Sequence, residues 1–165
     1  SDTLIAIETI LEKHPISKPT HYDLKPENIL FDGKKFWLVD WEAACQGDPY
    51  FDLATIIVFY SLNPKQEAIF LKTYFGKTPS SFQKSRLSLM KQVVMGYYGT
   101  AYLMVSRTKG VIPLPDEEIE KLPSLKECLK NKIDKKKLFF TIQELQELGW
   151  ILLREVCNCK TLSCL

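Results

Sequence analysis

The residues best suited to chemistry lie close together near the start of the chain. His21, Asp23 and Asn28 form an H-x-D-x4-N pattern, and Asp40 follows Asn28 by twelve residues. Moving a phosphoryl group from a nucleotide to a hydroxyl needs a carboxylate beside the attacking oxygen. It also needs oxygen ligands for the magnesium that bridges the phosphates. Asp23 suits the first task, and Asn28 and Asp40 suit the second.

A predicted β-hairpin explains how these residues could meet in space. Residues 29–31 and 36–39 are β-prone runs, and the Asp-Gly-Lys-Lys sequence at 32–35 is a strong turn signal. Folding the chain back at this turn returns Asp40 to the end of the hairpin where Asn28 lies. Taken singly, Asp23, Asn28 and Asp40 have ordinary alternatives: a helix cap, a turn former and a strand-end carboxylate. Their combination favours one shared site.

The wording around these residues resembles a known family. Residues 21–28 read HYDLKPEN, which resembles the catalytic loop of the kinase-like superfamily and is close to that of Ser/Thr protein kinases. Protein kinases continue with Asp-Phe-Gly, whereas this chain has Asp-Trp-Glu at 40–42 and no later Ala-Pro-Glu. The stretch V-D-W-E … G-D-P-x-x-D-L-A over residues 39–54 is similar to the aminoglycoside phosphotransferase and choline kinase family, most of all its bacterial choline-kinase-like branch.

The resemblance implies an ATP- and Mg²⁺-dependent phosphotransferase that acts on a small molecule with a hydroxyl, choline or a similar amino alcohol. Asp23 would then be the catalytic base or orient the acceptor hydroxyl, and Lys25 would lie near the transferred phosphate. His21 and Asp52 would brace the loop by hydrogen bonds. Two other function classes stay open: a Ser/Thr protein kinase fragment, which HYDLKPEN and Lys25 favour, and a non-catalytic kinase-like binding module.

Aromatic side chains bear on the acceptor. In choline-kinase-like enzymes aromatic faces on the C-lobe helices surround a quaternary ammonium, and each cation–π contact is worth about 0.5–2 kcal/mol. Tyr98 and Tyr102 lie at i, i+4 on a predicted helix, Trp150 on the last helix could meet them, and Trp41 and Glu42 adjoin the metal aspartate. The alternative is that these aromatics are core residues. The helices at 80–108 and 141–157 carry few carboxylates, which favours an amine alcohol over a polycationic aminoglycoside.

The sequence lacks the motifs of a kinase N-terminal lobe. Its seven glycines form no G-x-G-x-x-G, and residues 4–11 carry apolar side chains at the spacing of a single helix that Pro15 ends. We therefore expect residues 1–165 to form one domain, a kinase-like C-lobe with its N-lobe absent, whose catalytic loop and metal hairpin occupy 20–42. Such a chain should be inactive by itself, and its uncovered surface could support a homodimer.

The remaining patterns predict helices, so the expected fold class is α+β, mostly α, with one catalytic-loop hairpin. Helices are predicted over residues 51–62, 65–74, 80–107 and 141–157, and Thr141 with Glu144 forms a capping box at the last. Residues 111–123, with three prolines, predict an irregular connector. The lysine-rich residues 130–137 predict a solvated loop, with a phosphate-binding patch as the alternative.

Composition limits the partners and the compartment. The 22 basic and 20 acidic side chains leave a net charge of +2, which does not favour nucleic acid. The longest apolar run, residues 53–62, is too short to span a membrane, and no signal peptide is recognisable, so the cytoplasm is the default compartment. The cysteine count of five is odd, which favours free thiols; zinc or a disulfide in the C-x-C-x4-C tail (157, 159, 164) is the alternative.

Overall fold

The computed structural model describes residues 9–134 and 139–158. It is mostly helical with two small antiparallel sheets, which confirms the predicted α+β class. The chain divides into two compact units, Ser1–Val93 and Val94–Leu165. The prediction of one domain over residues 1–165 stays a prediction. The predicted first helix lies mostly outside the described residues, although residues 9–12 are helical.

Four short strands belong to the first unit and form two sheets. They are β1 (Lys18–Thr20), β2 (Ile29–Phe31), β3 (Phe36–Leu38) and β4 (Cys45–Gly47). The pairing of β2 with β3 is the predicted hairpin. Its turn is stabilised by Asp32, whose Oδ1 accepts hydrogen bonds from the backbone N–H groups of Lys34 at 2.8 Å and Lys35 at 2.9 Å. The second sheet, β1 with β4, was not predicted, so the prediction of a single hairpin was incomplete.

After β1, the first unit contains a 3-10 turn and α-helices. They are a 3-10 turn at Pro26–Asn28, α1 (Tyr50–Phe59), α2 (Pro64–Phe75) and the first part of α3 (Ser81–Thr108). The predicted end of α1 at residue 62 was too late, because Ser61 turns to a left-handed φ of 48°. The backbone N–H of Ser61 then bonds the carbonyl of Val58 and that of Leu62 bonds Ile57, as in a Schellman motif. The buried apolar side chains of this unit, five of them on α1, include Leu24, Leu53, Ala54, Ile57, Val58, Phe59, Leu71, Leu87 and Met90.

The second unit contains the rest of α3 and three further helices. These are α4 (Asp116–Lys121), α5 (Leu125–Asp134) and α6 (Ile142–Asn158). The predicted capping box of α6 is confirmed: Thr141 N–H donates to Glu144 Oε2 at 2.8 Å, and Glu144 N–H donates to Thr141 Oγ1 at 3.2 Å. The buried side chains of this unit include Val94, Tyr98, Leu129, Leu148, Ile151, Leu152 and Val156.

Two predictions for this unit were wrong. The connector at 111–123 contains the short helix α4, and the lysine-rich stretch begins inside α5 rather than in a loop. The reason for α5 is local. Ser124 and Glu127 form a second capping box, with Ser124 N–H donating to Glu127 Oε2 at 3.0 Å, and Leu129 is buried on the same helix. Residues 135–138 lie outside the described part of the chain.

Two glycines let α3 and α6 approach closely within the second unit. A Cβ atom added to Gly149 would lie 3.0 Å from the carbonyl oxygen of Gly99 and 3.0 Å from Leu103. A Cβ added to Gly99 would lie 2.9 Å from Leu153 and 3.1 Å from the carbonyl oxygen of Gly149. Because helix interiors otherwise disfavour glycine, these two positions are best explained by the space that the crossing requires.

Among the described residues, Cys45, Cys128 and Cys157 are free thiols, as predicted. Burial raises the pKa of the Cys128 thiol, so that it stays protonated near neutral pH. Cys159 and Cys164 lie outside the described residues, so the alternative of zinc or a disulfide in the tail stays a prediction. No helix in the described part of the chain is long and apolar enough to cross a membrane.

Candidate active site

The H-x-D-x4-N loop brings three of the predicted residues into direct contact. The side-chain nitrogen Nδ2 of Asn28 donates to the backbone carbonyl of Asp23 and to its Oδ2, both at 2.8 Å. On the other side, Lys25 Nζ lies 3.1 Å from Asp23 Oδ1. The 3-10 turn Pro26–Asn28 produces this arrangement because it folds the chain back over five residues. The Asp23 carboxylate is therefore oriented by a buried amide and lies beside a positive charge.

Asn28 and Asp40 fit the ligand set that magnesium prefers. Since Asn28 uses its amide nitrogen on Asp23, its amide oxygen is the atom that could face a cation. Val39 N–H donates to the Asn28 carbonyl at 3.1 Å, so Asp40 follows directly from the end of the hairpin where Asn28 lies. The described residues contain no cluster of three or more His, Cys, Asp or Glu suited to a metal. Mg²⁺ is commonly held by one or two side chains together with phosphate and water, so the oxygen donors present fit it.

Asp52, at the first turn of α1, joins the loop to the helix. Its Oδ2 accepts from the backbone N–H of His21 at 2.7 Å, and its Oδ1 accepts from that of Tyr22 at 2.9 Å. Burial raises the pKa of Asp52 above its ordinary value of 3.8, although the two backbone hydrogen bonds act in the opposite direction. These are the contacts that the predicted bracing role requires.

His21 joins the loop to the hairpin. Its buried ring accepts a hydrogen bond at Nδ1 from the Asp23 backbone N–H at 3.3 Å, so Nε2 carries the proton and donates to the Val39 carbonyl at 3.0 Å. One imidazole therefore connects the backbone of Asp23 with the residue that precedes Asp40. The backbone segments that carry the two carboxylates of the site are therefore bonded to the same side chain.

Two residues of the site have left-handed backbone conformations. Tyr22 has a φ of 64° and Asp40 a φ of 63°. For a residue other than glycine this region costs about 1–2 kcal/mol. Such strain persists only where surrounding contacts hold it, and it is found preferentially at functional sites. Tyr22 lies between His21 and Asp23, and Asp40 is itself a predicted metal ligand.

The predicted acceptor residues have varied surroundings. The Trp41 ring packs on His21 with centroids 4.5 Å apart, and its Nε1 donates to the Leu38 carbonyl at 2.9 Å. Much of that indole is nevertheless exposed, as is Glu42. In the second unit the rings of Tyr98 and Tyr102 lie 5.8 Å apart, with Tyr98 buried and Tyr102 and Trp150 half-buried. A shared acceptor site formed by these five residues stays a prediction.

An ion pair that the sequence did not predict lies beside the loop. Arg86 of α3 donates to Asp48 Oδ2 through Nε at 2.9 Å and through Nη2, and its Nη1 donates to the His14 carbonyl at 2.8 Å. Asp48 Oδ1 in turn accepts from the backbone N–H of Tyr50, the first residue of α1. A signal existed, because Arg86 shares the buried face of α3 with Met90 at i+4.

Comparison with known proteins gives three kinds of match. Residues 3–84 match the family model described as the phosphotransferase enzyme family. A LicA homolog of Mycoplasma capricolum is 41% identical over 68 residues, which are 41% of this chain and 29% of that protein. Protein LicA of Haemophilus influenzae is 38% identical over 68 residues, which are 26% of its length.

A solved structure matches over most of the chain. The crystal structure of a choline/ethanolamine kinase family protein from Mesorhizobium loti covers 92% of this chain with a TM-score of 0.60 and 20% sequence identity. The match spans 50% of that protein. At this identity the likeness concerns the fold. This chain therefore spans about half of the structural neighbour, and its alignments with the LicA proteins span less than a third of each.

Proposed function

Because this chain belongs to the kinase-like family of aminoglycoside phosphotransferases and choline kinases, we propose that it carries the catalytic loop of an ATP-dependent small-molecule kinase. The observation that supports this most directly is the contact of Asn28 with both the backbone and the carboxylate of Asp23. The reaction would transfer the terminal phosphoryl group of ATP to the hydroxyl of a small acceptor. The full-length protein is the species to which this proposal applies.

Each residue of the loop has a defined task in that reaction. Asp23 orients the acceptor hydroxyl and takes its proton while the bond from that oxygen to phosphorus forms and the bond to the ADP oxygen breaks. Lys25, 3.1 Å from Asp23, provides positive charge near the transferred phosphate. Mg²⁺ held by Asn28 and Asp40 would supply further charge neutralisation at the nucleotide phosphates. His21 and Asp52 hold these groups in position through their hydrogen bonds to the backbone.

We propose choline or a similar amino alcohol as the acceptor. The choline/ethanolamine kinase family neighbour supports this class, and the sequence shows few carboxylates on the helices around the tyrosine pair. The exposed indole of Trp41 offers an aromatic face beside Asp40, and Tyr98 with Tyr102 offers a second aromatic group. Because the exposed Trp41 ring would contact the quaternary ammonium in this proposal, Trp41→Leu should raise KM for choline more than KM for ATP.

The hairpin supports the further proposal that residues 1–165 need more protein for activity. Both of its strands leave large apolar side chains exposed: Leu30, Phe31, Phe36, Trp37 and Leu38. Contiguous apolar surface of this kind usually contacts other protein or ligand. We expect residues 1–165 alone to show no measurable transfer to choline and a tendency to pair through this surface. Sedimentation velocity and a phosphocholine assay on residues 1–165 would measure both.

The test uses the purified full-length protein with ATP, Mg²⁺ and choline, and measures ADP and phosphocholine by mass spectrometry. Asp40→Ala should abolish turnover, and added magnesium should not restore it. Asp116→Ala, which removes a carboxylate from α4, should behave as the wild type. Normal turnover of Asp40→Ala at low magnesium would overturn the metal assignment. Phosphorylation of a protein substrate in place of any small alcohol would favour the protein-kinase alternative.

A further inference from the structure

Tyr22 stands between His21 and Asp23, yet the proposed reaction uses only its backbone. Its left-handed φ of 64° gives the loop the turn by which His21 faces the hairpin and Asp23 faces Asn28. A bulky residue rarely takes this conformation without external contacts. The contacts of the tyrosine side chain therefore bear on how Asp23 is placed.

Tyr22 makes three contacts with residues 48–52. Its hydroxyl is hydrogen-bonded to the backbone N–H of Asp48. Its ring lies against the ring of Phe51, with centroids 4.8 Å apart. Its backbone N–H donates to Asp52 Oδ1 at 2.9 Å. Asp48 is itself bound by the nearly buried Arg86, and this ion pair holds the start of the segment 48–52 in place.

Gly47 provides the space in which the tyrosine side chain lies. A Cβ atom at position 47 would be 2.2 Å from the Tyr22 hydroxyl oxygen, 2.4 Å from its Cε2 and 2.6 Å from its Cζ. The positive-φ glycines are Gly33, Gly76 and Gly110, so Gly47 is not needed for a left-handed backbone. Space alone accounts for glycine at this position.

We propose that Tyr22 is a positioning residue: seated on Gly47 and bonded to Asp48, it holds the catalytic loop in the left-handed turn that places Asp23 against Asn28. We refer to the contact of Tyr22 with Gly47 and Asp48 as the tyrosine seat. Its effect on phosphoryl transfer rests on the proposed function. Its effect on the position of Asp23 does not, and can be measured without any substrate.

The decisive experiment is a double-mutant cycle between positions 22 and 47 in the full-length protein. Gly47→Ala alone should lower kcat at least tenfold, with less than a twofold change in KM for ATP, because the new methyl displaces the tyrosine ring. In the Tyr22→Gly background, where no ring remains, the same Gly47→Ala change should lower kcat less than twofold further. Equal effects of Gly47→Ala in both backgrounds would overturn the proposal.

Tyr22→Phe is the milder variant and decides the matter if Gly47→Ala does not fold. It keeps the ring on Phe51 and removes only the hydroxyl that binds Asp48. We expect kcat to fall three- to tenfold while the unfolding midpoint in urea changes little. Thr20→Val is a matched control, because it also removes a hydroxyl from the same unit while leaving the seat intact. Wild-type kcat in Tyr22→Phe would overturn the proposed role.

An NMR measurement separates failure of this proposal from failure of the proposed function. The side-chain amide of Asn28 donates to Asp23, so its ¹H–¹⁵N resonances report on the position of the loop. These resonances should shift in Tyr22→Phe and Gly47→Ala but not in Thr20→Val. Unchanged Asn28 resonances in both variants would overturn the tyrosine seat even in an active kinase. Shifted resonances in a protein without kinase activity would support the seat and refute the function.

Discussion

The two compact units use their buried polar groups differently. In the first unit, the buried side chains of His21 and Asn28 make hydrogen bonds within the loop and its hairpin, and buried Arg86 binds Asp48 from a segment far along the chain. In the second unit, the buried Gln146 donates through Nε2 to the Ile112 carbonyl at 2.9 Å, and the half-buried Arg154 donates through Nη1 to the Leu122 carbonyl at 3.0 Å. Both bonds go to carbonyl groups of the segments between helices. A buried polar group costs stability unless it is paired. In the first unit, buried polar groups lie around the carboxylates of the site, where orientation matters. The second unit is stabilised mainly by close apolar packing.

This difference predicts that substitutions in the first unit affect catalysis most, and the largest effect is expected at Asp23. A positioned proton acceptor contributes roughly 10²–10⁴-fold, so Asp23→Asn should lower kcat of the full-length protein by that order. KM for ATP should change little, since the metal ligands remain. Steady-state kinetics measure both constants, with Asp116→Asn as the matched acid-to-amide control. A variant that kept more than a third of the wild-type kcat would remove Asp23 from this role.

Asp52→Asn should affect both stability and catalysis. The amide has one acceptor oxygen, so one of the two backbone N–H groups now bound by Asp52 is left without that acceptor, at a cost of about 1–3 kcal/mol. The raised pKa of Asp52 gives this difference a pH dependence. The folded state binds the proton more tightly, so the stabilisation is fully present below pH 3.8 and is lost as the pH rises through the folded pKa.

Urea unfolding of the wild type and Asp52→Asn from pH 3.5 to 7 would measure this dependence. The stability advantage of the wild type should be largest at the acidic end and should narrow as the pH rises. An advantage that instead grew with pH would mean that the hydrogen bonds from His21 and Tyr22 outweigh burial. The Asp52 pKa would then be lowered rather than raised.

In the second unit, Gly149→Ala should reduce stability without affecting catalysis by the folded protein. Forcing a methyl against the Gly99 carbonyl and Leu103 costs about 1–3 kcal/mol, and the better helix propensity of alanine returns up to about 1 kcal/mol. Thermal unfolding should show the net loss. Gln143→Ala, at an exposed position of α6, should change stability by less than about 0.5 kcal/mol. Equal stability of Gly149→Ala and wild type would mean that the crossing is looser than described.

The smallest effect is expected at the start of α6. Thr141→Ala removes the hydroxyl that accepts from the Glu144 N–H and should cost about 1 kcal/mol. The kcat of the full-length protein should be unchanged, because the lost hydrogen bond affects only the start of α6 in the second unit. Urea unfolding and the phosphocholine assay measure the two quantities. A fall in kcat larger than twofold would weaken the contrast between the units.

Features set by neighbouring residues could be predicted from the sequence. The hairpin at 29–38 and the capping box of Thr141 with Glu144 both depend on turn chemistry or hydrogen bonds over a few residues. The boundaries of α2 and α3 were also predicted to within about one residue. The helix α5 depends on the same local chemistry, at Ser124 and Glu127, so the sequence also contains the signal for its start.

The sequence by itself determined the residue types of the site, their spacing and the turn that returns Asp40 to Asn28. The family resemblance implied that Asp52 braces the loop, but only the tertiary structure decided that it binds the backbone N–H groups of His21 and Tyr22. Only the tertiary structure, likewise, brought Arg86 to Asp48 and Tyr22 to Gly47. These contacts join segments more than twenty residues apart. They depend on burial, which makes an unpaired polar group costly and leaves little space beside a ring. Neither condition exists until the strands and helices have packed together.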